Sequence, residues 1–211
     1  MQEETTTISS PRTQSITINR IIDFIPALYR EKGFNDFSAV GKLAEKKQTC
    51  LDFALDKLDK KSLVMCGKVG NGKTHLGVAI AKNYRNAKRL TVLEEISNVQ
   101  KFNIKFLDAD EFFLTLNDLA ATGKSKIEYI TKLLYNDLVI LDDLGIANFT
   151  PAKQENLYFL VNKCYQSNHP LVITTNFTME ELEKVDARIP SRLNEIATIL
   201  SFDFDDYRVK R

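Results

Sequence analysis

The segment CGKVGNGKTHLG, residues 66–77, constrains the fold of this chain more than any other. Gly67-x4-Gly72-Lys73-Thr74 fits the P-loop pattern G-x-x-x-x-G-K-[ST]. Glycines permit positive φ and let backbone N–H groups converge on phosphate oxygens. Lys73 is expected to reach the β- and γ-phosphates and the Thr74 hydroxyl to bind Mg²⁺. The predicted nucleotide-binding residues are Gly67, Lys68, Val69, Gly70, Asn71, Gly72, Lys73, Thr74 and His75, of which His75 is favoured as a packing residue over a catalytic one.

The flanking residues supply the strand and the helix that a P-loop requires. Ser62–Cys66 is a short apolar run of the kind that a buried strand shows. In THLGVAIAKNYRNAKRL, apolar residues recur at roughly helical spacing, at Leu76, Ala79, Ile80 and Ala87. The alternative is a glycine-rich turn that binds no ligand.

Beyond the P-loop, strands and helices alternate along the chain. We expect helices over residues 36–60, over 109–134, from Pro151, and from Thr178, and strands at 62–66, 103–107, 136–143, 169–176 and 197–204. This alternation predicts an α/β fold with a parallel five-stranded sheet flanked by helices.

The N-terminal residues differ in composition from the rest. Residues 1–15 are polar and rich in Thr and Ser, so we expect them to be disordered or loosely held. Apolar residues from Ile18 to Ile25 favour a short amphipathic segment that is broken at Pro26. We therefore place the domain boundary between residues 25 and 26.

Composition excludes several classes of protein. The chain has 211 residues, 44% hydrophobic and 27% charged, with a net charge of +1, so a nucleic-acid site would have to be a local patch. No apolar run is long enough for a membrane span, and the N-terminus lacks the apolar stretch of a secretory signal. Cys50, Cys66 and Cys164 lie far apart, which favours free buried thiols. We expect a cytoplasmic protein without membrane contact.

Acidic and amide side chains end two further apolar strands. LVILDD ends in Asp142 and Asp143, and LVITTN ends in Asn176. Because ligands bind at the carboxyl ends of parallel strands, we assign Asp142 to Mg²⁺ and Asp143 to polarising the attacking water. Asn176 is assigned to positioning that water or contacting the γ-phosphate. The alternatives are a solvated turn for the acids and an Asx turn for Asn176.

Two arginines lie four residues apart in DARIPSRLNE, namely Arg188 and Arg192. Phosphoryl transfer often needs an arginine that stabilises developing charge, in cis or from a neighbour. The alternative is a solvated surface pair.

The motifs GKVGNGKTHL, LVILDDLG, LVITTN and SRL, in this order, resemble the AAA+ superfamily, specifically its DnaC/DnaI helicase-loader and IstB group. The lead-in IPALYREKGFNDF and the Tyr207-Arg208 pair add to a resemblance that covers roughly residues 25–210. It implies an AAA+ ATPase domain at 26–211 that uses ATP and Mg²⁺, with Asn176 as sensor 1. It also implies that Arg192 acts in trans on a neighbouring subunit, and that Arg208 matches a further family residue.

The same resemblance implies partners. A helicase loader of this type contacts a replicative DNA helicase and single-stranded DNA, and an initiator-type helical insertion falls at residues 109–134. Phe112, Phe113, Lys124 and Lys126 are candidate DNA contacts, with helix core and solvated surface as the alternatives. Such loaders usually carry an N-terminal helicase-binding domain, for which some 25 residues are too few. The Ile18–Ile25 segment is a candidate docking helix.

Three rival functions share parts of this pattern. An IstB-like transposition helper ATPase would act on duplex DNA and a transposase. A non-hydrolysing adaptor would have no need of both Asp142 and Asp143. A small-molecule kinase would need an arginine-rich lid, which is not evident. A loader from a phage or mobile element, with another partner, also fits.

Overall fold

The computed structural model describes residues 1–10, 13–85, 99–145 and 149–203. Its strands are β1 (Gln2–Ser10), β2 (Thr13–Ile22), β3 (Ser62–Gly67), β4 (Val99–Asp108), β5 (Leu138–Leu144), β6 (Leu171–Thr175) and β7 (Ala197–Phe202). Its α-helices are α1 (Lys42–Ala54), α2 (Lys73–Asn83), α3 (Ala109–Ala121), α4 (Lys126–Leu133), α5 (Pro151–Ser167), α6 (Met179–Val185) and α7 (Arg188–Ile196), and a 3-10 turn spans Ala27–Tyr29.

The strands form one sheet in the order β1-β2-β4-β5-β6-β3-β7. The strands from β2 to β7 pair in parallel, and only the edge strand β1 is antiparallel to its neighbour. The sheet is thus mostly parallel and flanked by helices, as predicted, but in the described part of the chain it has seven strands rather than five. The two additional strands come from the N-terminal segment.

Both faces of the central strands are buried, which explains why β3, β5 and β6 are continuous apolar runs rather than alternating ones. Side chains alternate between the faces. In β3, Leu63 and Met65 pack with α1 and α2, whereas Val64 and Cys66 pack with the helices from α3 to α7. Cys50, Cys66 and Cys164 are free and buried, and burial raises the pKa of each thiol.

Local signals fix where several helices begin. The Asp108 side chain accepts hydrogen bonds from the N–H groups of Asp110 and Glu111, which caps α3. Pro151 occupies the first turn of α5, as predicted, and Thr178 forms a capping box with Glu181 at α6. Residues 36–60 contain one helix, α1, rather than the predicted pair, and the end of the predicted P-loop helix around Ala87 lies outside the described residues.

The prediction for the N-terminal segment is wrong. The antiparallel strands β1 and β2, called the N-terminal hairpin below, extend the sheet, and Ile18 to Ile22 belong to β2, so they are not a docking helix. The buried Arg20 guanidinium donates from Nε to the Tyr84 carbonyl at 2.7 Å, and Lys82 pairs with Glu4 at 3.3 Å. Backbone pairing and the contacts of Arg20 and Lys82 stabilise a segment that composition alone predicts to be disordered.

Arg20→Ala should lower the free energy of unfolding by about 2–3 kcal/mol, because it removes a buried, charge-assisted hydrogen bond and leaves a cavity. Burial, with a smaller contribution from Arg85, lowers the pKa of Arg20 to about 10, yet it stays protonated at neutral pH. Urea unfolding measures the effect. The exposed Arg30 provides the control, since Arg30→Ala should change stability by less than about 0.5 kcal/mol. Equal effects of the two variants would mean that the hairpin does not dock as described.

Candidate functional site

The P-loop is tightly enclosed by its neighbours. Gly67 ends β3 at φ 116°, and Gly72 precedes α2 at φ 78°. A Cβ atom on Gly67 would lie 2.7 Å from the Phe202 carbonyl oxygen, and one on Gly72 would overlap the ring of Phe37. Both positions therefore require glycine for their backbone angles and for the close approach of other parts of the chain. The Asn71 amide also donates to the Phe202 carbonyl at 2.9 Å, which ties the loop to β7.

Lys73 places a buried positive charge within this loop. Its side chain is 7% exposed, and its Nζ donates to the carbonyls of Gly67 at 2.7 Å and Lys68 at 2.6 Å. It lines a cavity of about 130 Å³ together with the predicted residues Val69, Gly70, Asn71, Gly72, Thr74, Asp143 and Asn176. A buried ammonium beside loop N–H groups is suited to binding the phosphate groups of a nucleotide.

Asp142 lies behind this cavity and is 4% exposed. Thr174 donates from Oγ1 to Asp142 Oδ1 at 2.6 Å, and the Thr74 hydroxyl also hydrogen-bonds this carboxylate. Burial raises the pKa of Asp142 to about 6. The bonds from the two threonines oppose this rise, whereas the nearby charges of Asp143 and Asp108 add to it.

The oxygen atoms of Thr74 and Asp142 fit the predicted Mg²⁺ site. Mg²⁺ is usually bound through one or two protein oxygens, with phosphate and water completing its shell. Because Thr74 hydrogen-bonds Asp142, both lie together at the phosphate end of the P-loop. A cation here would favour the ionised form of a carboxylate whose pKa burial raises.

Asp143 is exposed and has a left-handed backbone, with φ 57°. This conformation costs a non-glycine residue about 1–2 kcal/mol, although aspartate tolerates it better than most. The Asn176 amide lies 3.4 Å from Asp143 Oδ1, which is a long hydrogen bond. The two residues thus lie next to each other in the lining of the cavity.

Two cavity residues were not predicted, Tyr29 and Thr174. Thr174 lies near the carboxyl end of β6, and ligands bind at that end of parallel strands, so its position in the sequence could have indicated it. Tyr29 comes from the lead-in, and its position depends on long-range packing that no local signal predicts.

His75 contacts the lead-in segment. Its Nε2 lies 2.8 Å from the Gly33 carbonyl, and its ring packs edge-on against Phe37 with centroids 5.1 Å apart. It also lines a second cavity of about 260 Å³, which shares Tyr29, Gly70, Asn71 and Gly72 with the phosphate cavity. The two cavities together can accommodate an elongated ligand whose anionic end lies at Lys73.

Arg192 lies on α7 and is not among the residues that line the phosphate cavity of its own chain. Its Nε donates to Asn162 Oδ1 at 2.7 Å, and its guanidinium lies 4.8 Å from the ring centroid of Tyr158. Arg188 instead pairs with Asp186 and Glu155, and its hydrogen bonds lower the pKa of Asp186. Arg208 lies outside the described residues.

The candidate DNA-contacting aromatics are core residues. Phe112 and Phe113 are 1% and 2% exposed, and Phe113 packs edge-on against Phe149. They cannot stack on bases from these positions, so the core alternative is confirmed. Lys124 is exposed and Lys126 half-buried, beside the exposed apolar side chain of Ile127.

Within the described residues, the helices are too short or too polar to cross a bilayer.

The fold and the cavity define an AAA+ P-loop ATPase. The family model for IstB-like ATP binding proteins matches residues 33–211. The chain belongs to this family and binds ATP.

Known proteins resemble the chain over much of its length. The chromosomal replication initiator protein DnaA of Spiroplasma citri is 30% identical over 80% of this chain and 36% of its own length. The phage-like element PBSX protein XkdC of Bacillus subtilis is 23% identical over 81% of this chain and 63% of its own length. The chain spans about a quarter to about a third of the DnaA proteins that it matches.

Solved structures share the fold at lower identity. The crystal structure of the DnaC helicase loader has a TM-score of 0.66 and 19% identity, covering 84% of this chain and all of that one. DnaI has a TM-score of 0.61 and 22% identity, covering 87% and 96%. AMPPCP-bound DnaA from Aquifex aeolicus has a TM-score of 0.62 and 20% identity, covering 87% and 53%.

Gly72→Ala should weaken ATP binding by about tenfold or more, because the side chain adds left-handed strain and displaces Phe37. Isothermal titration measures the affinity. Gly77→Ala is the matched control within α2, since its Cβ would meet no atom closer than 3.7 Å and alanine favours a helix. The control should bind ATP normally. Equal affinities of the two variants would contradict the described loop.

Asp142→Asn should stabilise the metal-free protein above neutral pH. Since the folded-state pKa of Asp142 is about 6 against an ordinary 3.8, the native state binds the proton more tightly, and stability falls as pH rises from about 4 through 6. Asparagine does not titrate. In EDTA, the stability advantage of the variant should therefore grow by about 1–3 kcal/mol between pH 4 and pH 8. A difference that stays constant with pH in urea unfolding would contradict this.

Proposed function

We propose that this chain is an ATP-dependent loader of a replicative DNA helicase, acting in DNA replication on single-stranded DNA. The observation that carries the proposal is the convergence of Lys73, Thr74, Asp142, Asp143 and Asn176 around one cavity, in a fold that matches the whole of the DnaC helicase loader chain. Sequence similarity to the replication initiator DnaA supports a role in replication.

Each residue of the cavity has a chemical task in this proposal. Lys73 and the loop N–H groups bind the phosphates and stabilise their charge. Thr74 and Asp142 hold Mg²⁺, which supplies positive charge to the phosphate oxygens when bound. Asp143 accepts a proton from the attacking water, and Asn176 fixes the orientation of that water. Lys73 and Asp142 are buried, which limits the motion of these two groups and lowers the entropic cost of reaction.

The base and ribose are proposed to occupy the second cavity. Its aromatic residues, Tyr29 and Phe37, belong to the lead-in, and the His75 ring holds that segment against α2. Tyr29 borders both cavities, so it can contact ligand atoms at their junction. Because Gly72→Ala displaces Phe37, a loss of ATP affinity in this variant would support the assignment of the base and ribose to the second cavity. Normal affinity there would count against it.

Arg192 is proposed to act on ATP held by a neighbouring copy of this chain. Its guanidinium is half-buried on α7, supported by Asn162 and Tyr158, and it is not committed to a carboxylate among the contacts described. Arg188 is held by two carboxylates, Asp186 and Glu155, and is the poorer candidate for meeting a phosphate. Active sites would then form only where subunits meet.

Single-stranded DNA is proposed to bind near α3 and α4. A DnaA structure of the same fold is described as bound to AMPPCP and single-stranded DNA. With Phe112 and Phe113 buried, contacts would come from the surface around Lys124, Lys126 and Ile127.

The second candidate function is that of a transposition helper ATPase acting on duplex DNA and a transposase. The matching family model, which is described as IstB-like, favours it specifically. Both candidates use the same ATP site. They differ in the DNA that stimulates hydrolysis.

ATP hydrolysis measured without DNA, with single-stranded DNA and with duplex DNA should separate these functions. Stimulation by single strands supports the loader, whereas stimulation by duplex alone supports the transposition helper. Arg192→Ala should lower turnover at least about 100-fold while ATP still binds, since an arginine of this kind contributes 10³–10⁵ in other ATPases and GTPases.

Two further variants test the shared site. Mixing Arg192→Ala with Lys73→Ala should restore part of the activity, because one intact interface then contains both residues. Arg188→Ala is the control and should retain most turnover. If Arg188→Ala is inactive and Arg192→Ala active, the assignment passes to Arg188. If mixing restores nothing, the site is not shared between subunits.

A further inference from the structure

Strand β5 is irregular at its two acids. Leu141 pairs with Ile173 and Leu144 with Thr175, so Asp142 and Asp143 together face the single residue Thr174. In a regular strand, adjacent side chains point to opposite faces of the sheet. The extra residue forms a β-bulge, which bends the strand and re-aims its side chains. The bulge therefore explains how two consecutive aspartates can both serve one site.

The side chain of Thr174 bonds to both halves of this bulge. Its Oγ1 accepts a hydrogen bond from the Asp143 N–H at 2.8 Å and donates one to Asp142 Oδ1 at 2.6 Å. The residue is 1% exposed, so water does not compete readily for these bonds. In a regular sheet, the N–H of Asp143 would donate to a backbone carbonyl of the neighbouring strand. Here it donates to the Thr174 hydroxyl instead, and the same hydroxyl fixes one oxygen of Asp142.

We propose that Thr174 is a positioning residue of the ATPase site, which holds the Asp142 carboxylate and the Asp143 backbone in their working arrangement. The inference rests on the proposed roles of Asp142 towards Mg²⁺ and of Asp143 towards water. Thr174 also borders the phosphate cavity, as does Asn176, which follows the end of β6. A single threonine therefore connects the metal-binding acid, the water-polarising acid and the sensor strand.

Substitutions at Thr174 can distinguish the effect of its hydroxyl group from the effect of the shape of its side chain. Thr174→Val preserves the branched shape but removes both hydrogen bonds, whereas Thr174→Ser preserves the hydroxyl. Outer-shell partners of this kind typically contribute 10- to 100-fold to metal affinity or activity.

Thr175 provides a matched control in the same strand. It is fully buried like Thr174, but its hydroxyl donates to the Leu144 carbonyl at 2.7 Å and accepts from the Phe177 N–H at 3.0 Å. It bonds only to backbone and does not line the phosphate cavity. Thr175→Val thus loses two buried hydrogen bonds without touching either aspartate side chain.

The test measures DNA-free ATP hydrolysis, thermal unfolding and ATP affinity with Mg²⁺ or with EDTA. Thr174→Val should lower kcat by roughly 10- to 100-fold with KM within about threefold, and should reduce the gain in affinity from Mg²⁺ several-fold. Thr174→Ser should restore both within about threefold. Thr175→Val should lose thermal stability similarly but keep kcat within about twofold. If Thr174→Val and Thr175→Val give the same kcat, the inference is overturned.

Three other results would still decide whether Thr174 positions the site: a variant that does not fold, hydrolysis that does not respond to DNA, and a wild type without turnover. Should Thr174→Val not fold, Thr174→Ala replaces it, and rescue by Thr174→Ser stays decisive. A chain that hydrolyses ATP without any response to DNA would refute the loader proposal and leave the role of Thr174 intact. If wild type shows no turnover, the role of Asp143 is lost, and the effect of Mg²⁺ on ATP affinity in Thr174→Val alone decides whether Thr174 positions Asp142.

Discussion

The parallel pairing of β3, β6 and β5 is the constraint on which the rest of the structure depends. Because parallel strands end at the same edge, this pairing brings the P-loop, Thr174 and the two aspartates together from three segments that are well separated in the chain. Both faces of these strands must be covered, so helices lie on each side and the apolar runs are unbroken. The carboxyl edge is where ligands bind in sheets of this kind, and the polar groups of the cavity cluster there.

Several features of this edge are individually unfavourable. Asp142 is a buried carboxylate with a pKa raised to about 6, Asp143 has a left-handed backbone, and Lys73 is a nearly buried ammonium. Strain and buried charge of this kind persist only where the surrounding fold holds them, and they concentrate at functional sites. The hydroxyls of Thr74 and Thr174 and the loop carbonyls offset part of the cost. A ligand with phosphates and a cation would complement the same groups.

The parts of the molecule that follow local rules could be predicted from sequence. The spacing of Gly67, Gly72 and Lys73 identified the P-loop, and uninterrupted apolar runs identified the central strands. The N-terminal hairpin could not be predicted, because its polar residues 1–15 resemble a disordered tail and its stability comes from pairing with β4 and from anchors such as Arg20. The bonds of Thr174 to the two aspartates were missed for a similar reason, because they depend on a bulge in the neighbouring strand. The roles assigned to the individual site residues stay predictions, namely those of Lys73, Thr74, Asp142, Asp143, Asn176 and Arg192.

The attachment of the hairpin to α2 has a mechanical consequence. The helix begins at Lys73 in the P-loop and ends at Asn83. Lys82 in its last turn pairs with Glu4, and the carbonyl of Tyr84, just after the helix, accepts a hydrogen bond from Arg20. Eleven helical residues form a stiff rod of about 16 Å. If the Lys73 end of this helix moves, its other end should therefore move by a similar distance, together with the hairpin at the edge of the sheet. A partner bound to the hairpin would therefore be coupled to movement of the P-loop and would oppose that movement.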